Sequence, residues 1–276
     1  MEDLTVFALV TDKSYLNKAI VTINDLRNVG NWNGDILIVT IDFDLDVNYI
    51  KTHNLIEAKF PPIDKSFLLN KIGPNGFSQS DKRELNKLNQ WEKLHIFDDY
   101  FLKWKRVVFL DAGLRVLDDV TFLLELDYKN HILAPNDAAP NFSPDQVFRH
   151  QLSWDNLELI ELVKNDFGDS IFDSRHMLNC IWIYDTNILK LCNKTQLIDA
   201  MNKYTLCKTN EMGIMNLLFH FKYKLWREFP LKTSSGKYLF EWCELNHSFC
   251  TTWKDYCFLK YPITIGLNEM VLKNSI

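Results

Sequence analysis

The chain has 276 residues, is 47% hydrophobic and carries a formal net charge of −5. That length suits one sizeable core, with or without an appendage. The acidic balance argues against a nucleic-acid surface, no apolar run reaches the ~18 residues of a membrane span, and no CxxC or HxxxH pair marks a zinc site. Cys180, Cys192, Cys207, Cys243, Cys250 and Cys257 are scattered, and are expected as free, mostly buried thiols in a reducing compartment.

Leu4 to Val10 is the first expected strand. MEDLTVFALVTDKSY has an acidic start and only a short apolar stretch, so it reads as that strand and not as a signal peptide; a cytoplasmic location is expected. Ser14 is placed to cap a helix running to about Val29, with Leu16, Ala19, Ile20, Ile23 and Leu26 near helical spacing. Ile36 to Ile41 reads as a second buried strand and Leu55 to Phe60 as a third strand, with a short helix from Val47 to His53 between them. Pro61-Pro62 stops the third strand. Pro61 to Gln79 is loop-like.

Asp81 to Tyr100 is a predicted helix, with Leu85, Leu88, Trp91, Leu94 and His95 along one side. The stretch RVVFLDAGLRVLDDV follows. Its apolar run from Val107 to Leu110 reads as a strand buried on both faces, and it ends abruptly in Asp111. Asp118 or Asp119 is placed to cap another short helix. His131 to Ala134 and Met177 to Tyr184 are strand-like, and Asn136 to Gln151 is irregular. Thr186 to Tyr204 and Asn210 to Phe221 read as helices, and Tyr223 to Trp226 as a last strand of the main sheet. From about Pro230 the tail is rich in aromatics and lacks clear periodicity. Alternating strands and helices in the first half imply one α/β domain over residues 1–276 with a largely parallel sheet.

Asp111 is the strongest local feature. Open α/β sheets bind ligands at the carboxyl ends of their strands, and the small residues Ala112 and Gly113 let a phosphate or metal approach the backbone. A carboxylate there can hold Mg²⁺ or Mn²⁺ bridging a diphosphate, or simply cap a turn. Thr11, Asp12 and Tyr15 open the first helix, where a hydroxyl, a carboxylate and a ring can hold a nucleoside and the helix N-terminus favours phosphate; the plainer reading is a helix cap and a surface tyrosine. Lys93 can neutralise a diphosphate, although a solvated lysine is the default. Asn179 sits in an apolar stretch, so its amide must find partners, either a sugar hydroxyl or backbone. Glu211 at a helix start gains from the helix dipole and can stand beside a reacting sugar.

FALVTDKSYLNKAIVTINDL resembles the opening strand and helix of glycosyltransferase family 8, the glycogenin-like nucleotide-sugar transferases of GT-A fold. Thr11 and Tyr15 stand at that family's Thr and Tyr, and Asp12 where it often has Asn. WEKLHIFDDYFLKWKRVVFLDAGLRVLDDV is similar to its Lys-Leu helix and "LDAD" strand end, MLNCIWIYDTNIL to its "FNSGVMV" segment, and NEMGIMNLLF to its "DQGLLN" segment. Glu211 and Met212 thereby match its Asp and Gln. The resemblance covers roughly residues 4 to 226. The chain departs from the family at Gly113, which replaces the second carboxylate of Asp-x-Asp, and at Cys180-Ile181, which replace a Ser-Gly. The family's late His-x-x-Gly-x-x-Lys-Pro-Trp is not recognisable, although His247 and Lys260-Tyr261-Pro262 lie in that region.

The resemblance implies a GT-A fold, with a mostly parallel central sheet flanked by helices. It implies a retaining transferase that moves a hexosyl group from a nucleotide diphosphate sugar, a UDP-sugar above all, to a glycan, protein or small-molecule acceptor. Thr11, Asp12 and Tyr15 would hold the nucleoside, and Lys93, Ala112 and Gly113 would meet the donor. Asp111 would bind the ribose or a metal. Asn179 and Glu211 would face the transferred sugar as catalytic candidates. With Gly113 in the motif, the expectation is weak Mn²⁺ or Mg²⁺ binding, held mainly by the diphosphate. The alternatives are a recruited carboxylate such as Asp137, or Lys and Arg side chains in place of the metal. A sugar nucleotidyltransferase would carry a Gly-rich basic loop that VTDKSY lacks. A degenerate, non-catalytic scaffold of the same fold is the rival reading.

Overall fold

The computed structural model describes residues 4–72, 85–139, 146–205, 210–242 and 255–260. In chain order, β1 (Thr5–Thr11), α1 (Leu16–Asn28), β2 (Asp35–Ile41), α2 (Val47–His53), β3 (Leu55–Phe60) and α3 (Ser66–Ile72) lead to a long 3-10 helix, Leu85–Phe97. After it come β4 (Arg106–Leu110), β5 (Leu114–Val116), β6 (Ile132–Ala134), α4 (Leu157–Phe167) and β7 (Ile181–Asp185). The remainder is α5 (Lys194–Lys203), α6 (Glu211–Met215), β8 (Trp226–Glu228), β9 (Tyr238–Trp242) and β10 (Tyr256–Lys260).

Seven strands form one sheet in the order β3-β2-β1-β4-β7-β6-β8. β1 is parallel to both β2 and β4, and β2 to β3. β7 alone runs against its neighbours β4 and β6, and β6 is parallel to β8. The alternation of side chains divides the core between the two faces. Val6, Ala8, Val107, Phe109, Trp182 and Tyr184 pack on one side, and Phe7, Leu9, Val108, Leu110, Ile181 and Ile183 on the other. The chain leaves β1 through α1 towards β2 and later returns to β4 on the other side of β1. The gap between β1 and β4 is therefore the topological switch point, where such sheets bind ligands.

Several expectations are corrected. Ser14 does not cap α1. The helix's N-cap position is Tyr15, without a side-chain cap, and Asp12 holds the turn before it, its Oδ1 accepting from Tyr15 N (3.0 Å) and Ser14 Oγ (2.6 Å). The expected loop after Pro61 contains α3; residues 73–79 lie outside the described residues. The helix expected from Asp81 is of the 3-10 type, followed by a second short one, Asp99–Lys103. Spacings of three residues suit both helix types, so the apolar positions could not separate them. In a 3-10 helix, residues i and i+3 eclipse, and Trp91, Leu94 and Phe97 are all fully buried. The expected helix from Thr186 is interrupted: a 3-10 turn, Thr186–Lys190, ends, and Asn193 restarts the chain as α5 with a capping box to Gln196. α6 continues as a π-helical segment, Asn216–Lys222. α4, begun by the Asn156 side chain on Leu159 N (3.0 Å), is an addition to the expected elements.

The aromatic tail is not without structure. Its β9 and β10 join β5 in a second sheet of order β5-β10-β9. The last expected strand of the main sheet lies slightly later than its pattern suggests, as β8. The short 3-10 helix Thr121–Glu125 follows the two aspartates, but its N-cap position is Val120 without a side-chain cap; Asp119 Oδ1 accepts from Thr121 N (2.8 Å) in the turn before it. Cys180, Cys192 and Cys257 are free and buried; Cys207, Cys243 and Cys250 lie outside the described residues. Among the described residues, no helix is long and apolar enough to cross a membrane.

Candidate active site

Asp111 lies one residue past β4. Its backbone N–H donates to Cys180 O (2.9 Å), which ties the end of β4 to the start of the antiparallel β7. This pairing sets Asn179 beside Asp111. Gly113 then turns the chain at φ 85°, a left-handed conformation that suits glycine. Its N–H donates to Thr22 Oγ1 on α1 (3.0 Å), and Thr22 Oγ1 donates to Leu114 O (2.9 Å). The motif turn is thus fastened to the helix that follows β1.

Four expected residues meet here. Lys93 Nζ is 2.9 Å from Asp111 Oδ1 and 3.1 Å from Glu211 Oε1. Asn179 Nδ2 donates to the same Glu211 oxygen (2.7 Å), and Lys93 Nζ approaches Asn179 O at 3.5 Å. The 3-10 period aims Lys93 and Gln90 together towards α6, where Gln90 Oε1 accepts from Asn210 Nδ2 (2.8 Å). A fifth residue completes the cluster. Lys260 Nζ sits 3.2 Å from Asp111 Oδ2 and donates to Ala112 O (2.9 Å). The antiparallel pairing of β10 with β5, with Lys260 opposite Leu114, delivers it.

All of these groups are largely withdrawn from water. Side-chain exposure is 12% for Lys93, 14% for Asp111, 13% for Lys260 and 2% for Glu211. Burial alone would neutralise them. For Asp111 the two lysines outweigh burial and hold the carboxyl below its ordinary range. Burial would lower the Lys93 ammonium, but Asp111 and Glu211 raise it well above its usual value. For Glu211 burial wins over Lys93, and its carboxyl is raised. Glu211 Oε2 is buried with no hydrogen-bond partner among the described residues. Burial also pushes up the thiol of Cys180.

The nucleoside candidates flank this cluster. The Tyr15 hydroxyl is raised by partial burial and by the charges of Asp12 and Asp111. Thr11 Oγ1 donates to Asp12 O (2.9 Å), and Asp12 Oδ2 accepts from Asn89 Nδ2 (2.6 Å). Asp12 is thereby engaged in holding the start of α1 against the 3-10 helix. Lys18, half-buried on α1, lays its stem beside Gly113, and its ammonium is 4.9 Å from the Tyr15 ring. Burial and the neighbouring Lys260 lower it. Among the described residues Lys18 has no ion pair.

The donor set does not fit a divalent ion at Asp111. Both carboxylate oxygens already face an ammonium group, and Gly113 supplies no second carboxylate. Asp137 accepts from the Gln146 side chain and pairs with His176 (3.0 Å). Among the described residues, no three His, Cys, Asp or Glu side chains gather as metal ligands. Hard cations need several oxygen ligands.

Lys260 and Lys18 carry no motif signal and went unassigned in the sequence. Lys260 does share one sign with Asp111: the run Cys257-Phe258-Leu259 is apolar and ends abruptly in a charge, as Val107 to Leu110 does. His247 lies outside the described residues.

No family model matches the chain, and no curated protein matches it. Solved structures do. An active-site variant of LgtC is 11% identical with a TM-score of 0.57, over 98% of this chain and 95% of that one. The WbbM bifunctional glycosyltransferase, in its apo form, is 15% identical with a TM-score of 0.54, over 88% of this chain and 40% of its own. Core-mannan synthase A of Aspergillus fumigatus, solved in a Mn/GDP form, is 12% identical with a TM-score of 0.51, over 82% of this chain and 72% of its own. The chain spans less than half the length of WbbM and 44% of the glycosyltransferase GlyE of Streptococcus pneumoniae TIGR4. Together with the sheet order and the flanking helices, these likenesses establish the fold: the chain is an α/β protein of GT-A fold.

Proposed function

We propose that this chain is a single-domain glycosyltransferase of the family 8 branch, moving a hexosyl group from a nucleotide diphosphate sugar, read as a UDP-sugar, to an acceptor hydroxyl. One observation carries the reading. At the switch point of a GT-A sheet, Lys93 and Lys260 hold two carboxylates, Asp111 and Glu211, and a third ammonium group, Lys18, stands next to Lys260. Burial raises the Glu211 carboxyl above its ordinary range, so the three ammonium groups stand against two carboxylates of unequal character. The site therefore has a surplus of positive charge and suits a diphosphate.

Tyr15 and Thr11 flank the nucleoside, and Asp12 fixes the helix that presents them. The diphosphate lies against Lys18 and Lys260, over the small turn Ala112-Gly113. Lys93 is a positioning residue, because its three N–H groups are matched by Asp111, Glu211 and Asn179 O. The unpartnered Oε2 of Glu211 faces the sugar, with Asn179 holding the other oxygen. In the reaction the bond from the sugar C1 to the phosphate oxygen breaks, and its electron pair leaves with the diphosphate. The acceptor oxygen bonds to C1 from the same face, which gives retention, and its proton passes to the departing phosphate oxygen. The acceptor is a hydroxyl on a glycan, protein or small molecule.

A donor panel tests the reading. UDP- and GDP-sugars are supplied with simple sugar acceptors, nucleotide release is measured, and melting curves are run with UDP and GDP. Release from a UDP-sugar and a raised melting temperature are expected, by linkage. No release from any donor, with no shift at millimolar nucleotide, sinks it. A scaffold that lost its chemistry would bind UDP and release nothing.

A further inference from the structure

A GT-A site that works through a divalent ion needs the ion to stand between the strand-end carboxylates and the diphosphate, adding charge that the protein lacks. At Asp111 that position is held by side chains of the chain itself. Asp111 Oδ2 faces Lys260 Nζ at 3.2 Å, and the same ammonium donates to Ala112 O at 2.9 Å. An ammonium has three N–H groups. Among the described residues, those of Lys93 are all engaged, whereas Lys260 uses two. Lys18 stands next to Lys260 with no carboxylate of its own among the described residues.

Among the described residues Lys18 has no ion pair and Lys260 has an N–H to spare, and the two neighbouring cations repel each other until an anion lies between them. The turn below them offers little bulk: a Cβ on Gly113 would first meet Lys18 Cδ, at 3.4 Å. Lys260 reaches this place through the pairing of β10 with β5, whose strand begins one residue after Gly113. One segment thus lacks the second carboxylate and is paired with the strand that brings the cation.

We propose that Lys260, anchored by Asp111 and assisted by Lys18, takes the electrostatic place of the divalent ion at the donor's diphosphate, so that nucleotide binding and transfer need no metal. The inference rests on the donor reading above. The bond from C1 to the phosphate oxygen breaks as described, and the negative charge that grows on the diphosphate is met by the two ammonium groups.

The test is a calorimetric titration of the full chain with UDP, and separately with GDP, in excess chelator and again with Mn²⁺. Equal affinity in the two conditions is expected for the nucleotide that binds. Lys260→Ala should weaken that binding by about 10- to 100-fold in both, the scale of a lost hydrogen bond to a charged group, and Mn²⁺ should not restore it. Lys260→Arg should keep most of it, and melting curves confirm that each variant is folded. Binding that appears only with Mn²⁺ overturns the proposal while leaving the donor reading intact. So does a folded Lys260→Ala that binds like the parent. If neither nucleotide binds under any condition, the donor reading fails and takes this proposal with it. The titration of the unaltered chain decides the metal question even if a variant does not fold.

Discussion

Glu92 and Lys93 are neighbours on one 3-10 helix, yet they belong to two different buried charge clusters. Glu92 Oε2 accepts from Ile63 N (3.0 Å) and from His95 Nε2 (3.1 Å), and Oε1 pairs with Lys65. Burial would raise the Glu92 carboxyl, but His95, Lys65 and Ile63 outweigh it and hold the group below its ordinary range. Facing Lys93 from α6, Glu211 has two donors on one oxygen and, among the described residues, none on the other, and burial prevails. Both clusters are dry, and both combine lysine with carboxylate. They differ in whether the polar groups are satisfied. A closed cluster holds β3's exit against the 3-10 helix. An open one leaves acceptors and cations for a ligand to complete.

The largest effect should come from opening the closed cluster. Glu92→Ala removes the carboxylate shared by Lys65, His95 and Ile63 N–H, leaving the Lys65 ammonium only Ile63 O among the described residues. Removing one member of a buried ion pair costs roughly 3–5 kcal/mol, and denaturant unfolding of the variant should show a loss of that size. A loss no larger than that of a surface substitution would mean the Glu92 cluster holds nothing together, and the comparison would collapse.

Asp111→Asn probes the open cluster. The fold should survive better than with Glu92→Ala, because Lys93 keeps Glu211 and Lys260 keeps Ala112 O. Turnover should fall by about 10²-fold or more, the scale of a lost transition-state electrostatic contact. Full turnover in the variant would reduce Asp111 to a turn anchor and remove the functional half of the contrast.

The two clusters were unequally legible. The apolar runs of β1, β2 and β4 announce themselves, because strands buried on both faces are continuously apolar. Asp111 stands out for the same reason, as a charge ending such a run. Glu92 and Lys93 are adjacent charges on a helix and look alike in the sequence. Only the 3-10 period separates their faces, and spacings of three do not distinguish that helix from an α-helix. Asn179 and Glu211 were visible as polar groups in apolar surroundings, but their meeting through Lys93 depends on β7 running antiparallel to β4. Lys260 lies 149 residues after Asp111 in the chain, and its place depends on β10 pairing with β5, a contact that no local periodicity encodes. The short strands β9 and β10 were lost in a tail of dense aromatics for the same reason.

The finest test sets the two carboxyls against each other by pH, using the near-isosteric Glu92→Gln and Glu211→Gln. Glu92 has a depressed folded value, so its charge contributes stability that is present above the ordinary glutamate value of 4.5 and lost as pH falls through the folded value. Glu92→Gln should therefore be less stable than the parent at neutral pH, with the gap closing in acid below that ordinary value. Glu211 has a raised folded value, so its charged form weakens the fold above that value, and the cost is relieved as pH falls through it. Glu211→Gln should be at least as stable as the parent at neutral pH, with the gap closing as pH falls towards 4.5, even though the variant loses turnover. Chemical denaturation of the three proteins from about pH 2 to 8 reads both signs at once. Opposite slopes identify one carboxylate that serves the fold and one that serves the ligand. If both variants lose stability at neutral pH, Glu211 is a satisfied structural group like Glu92, and its unpartnered oxygen marks no binding site.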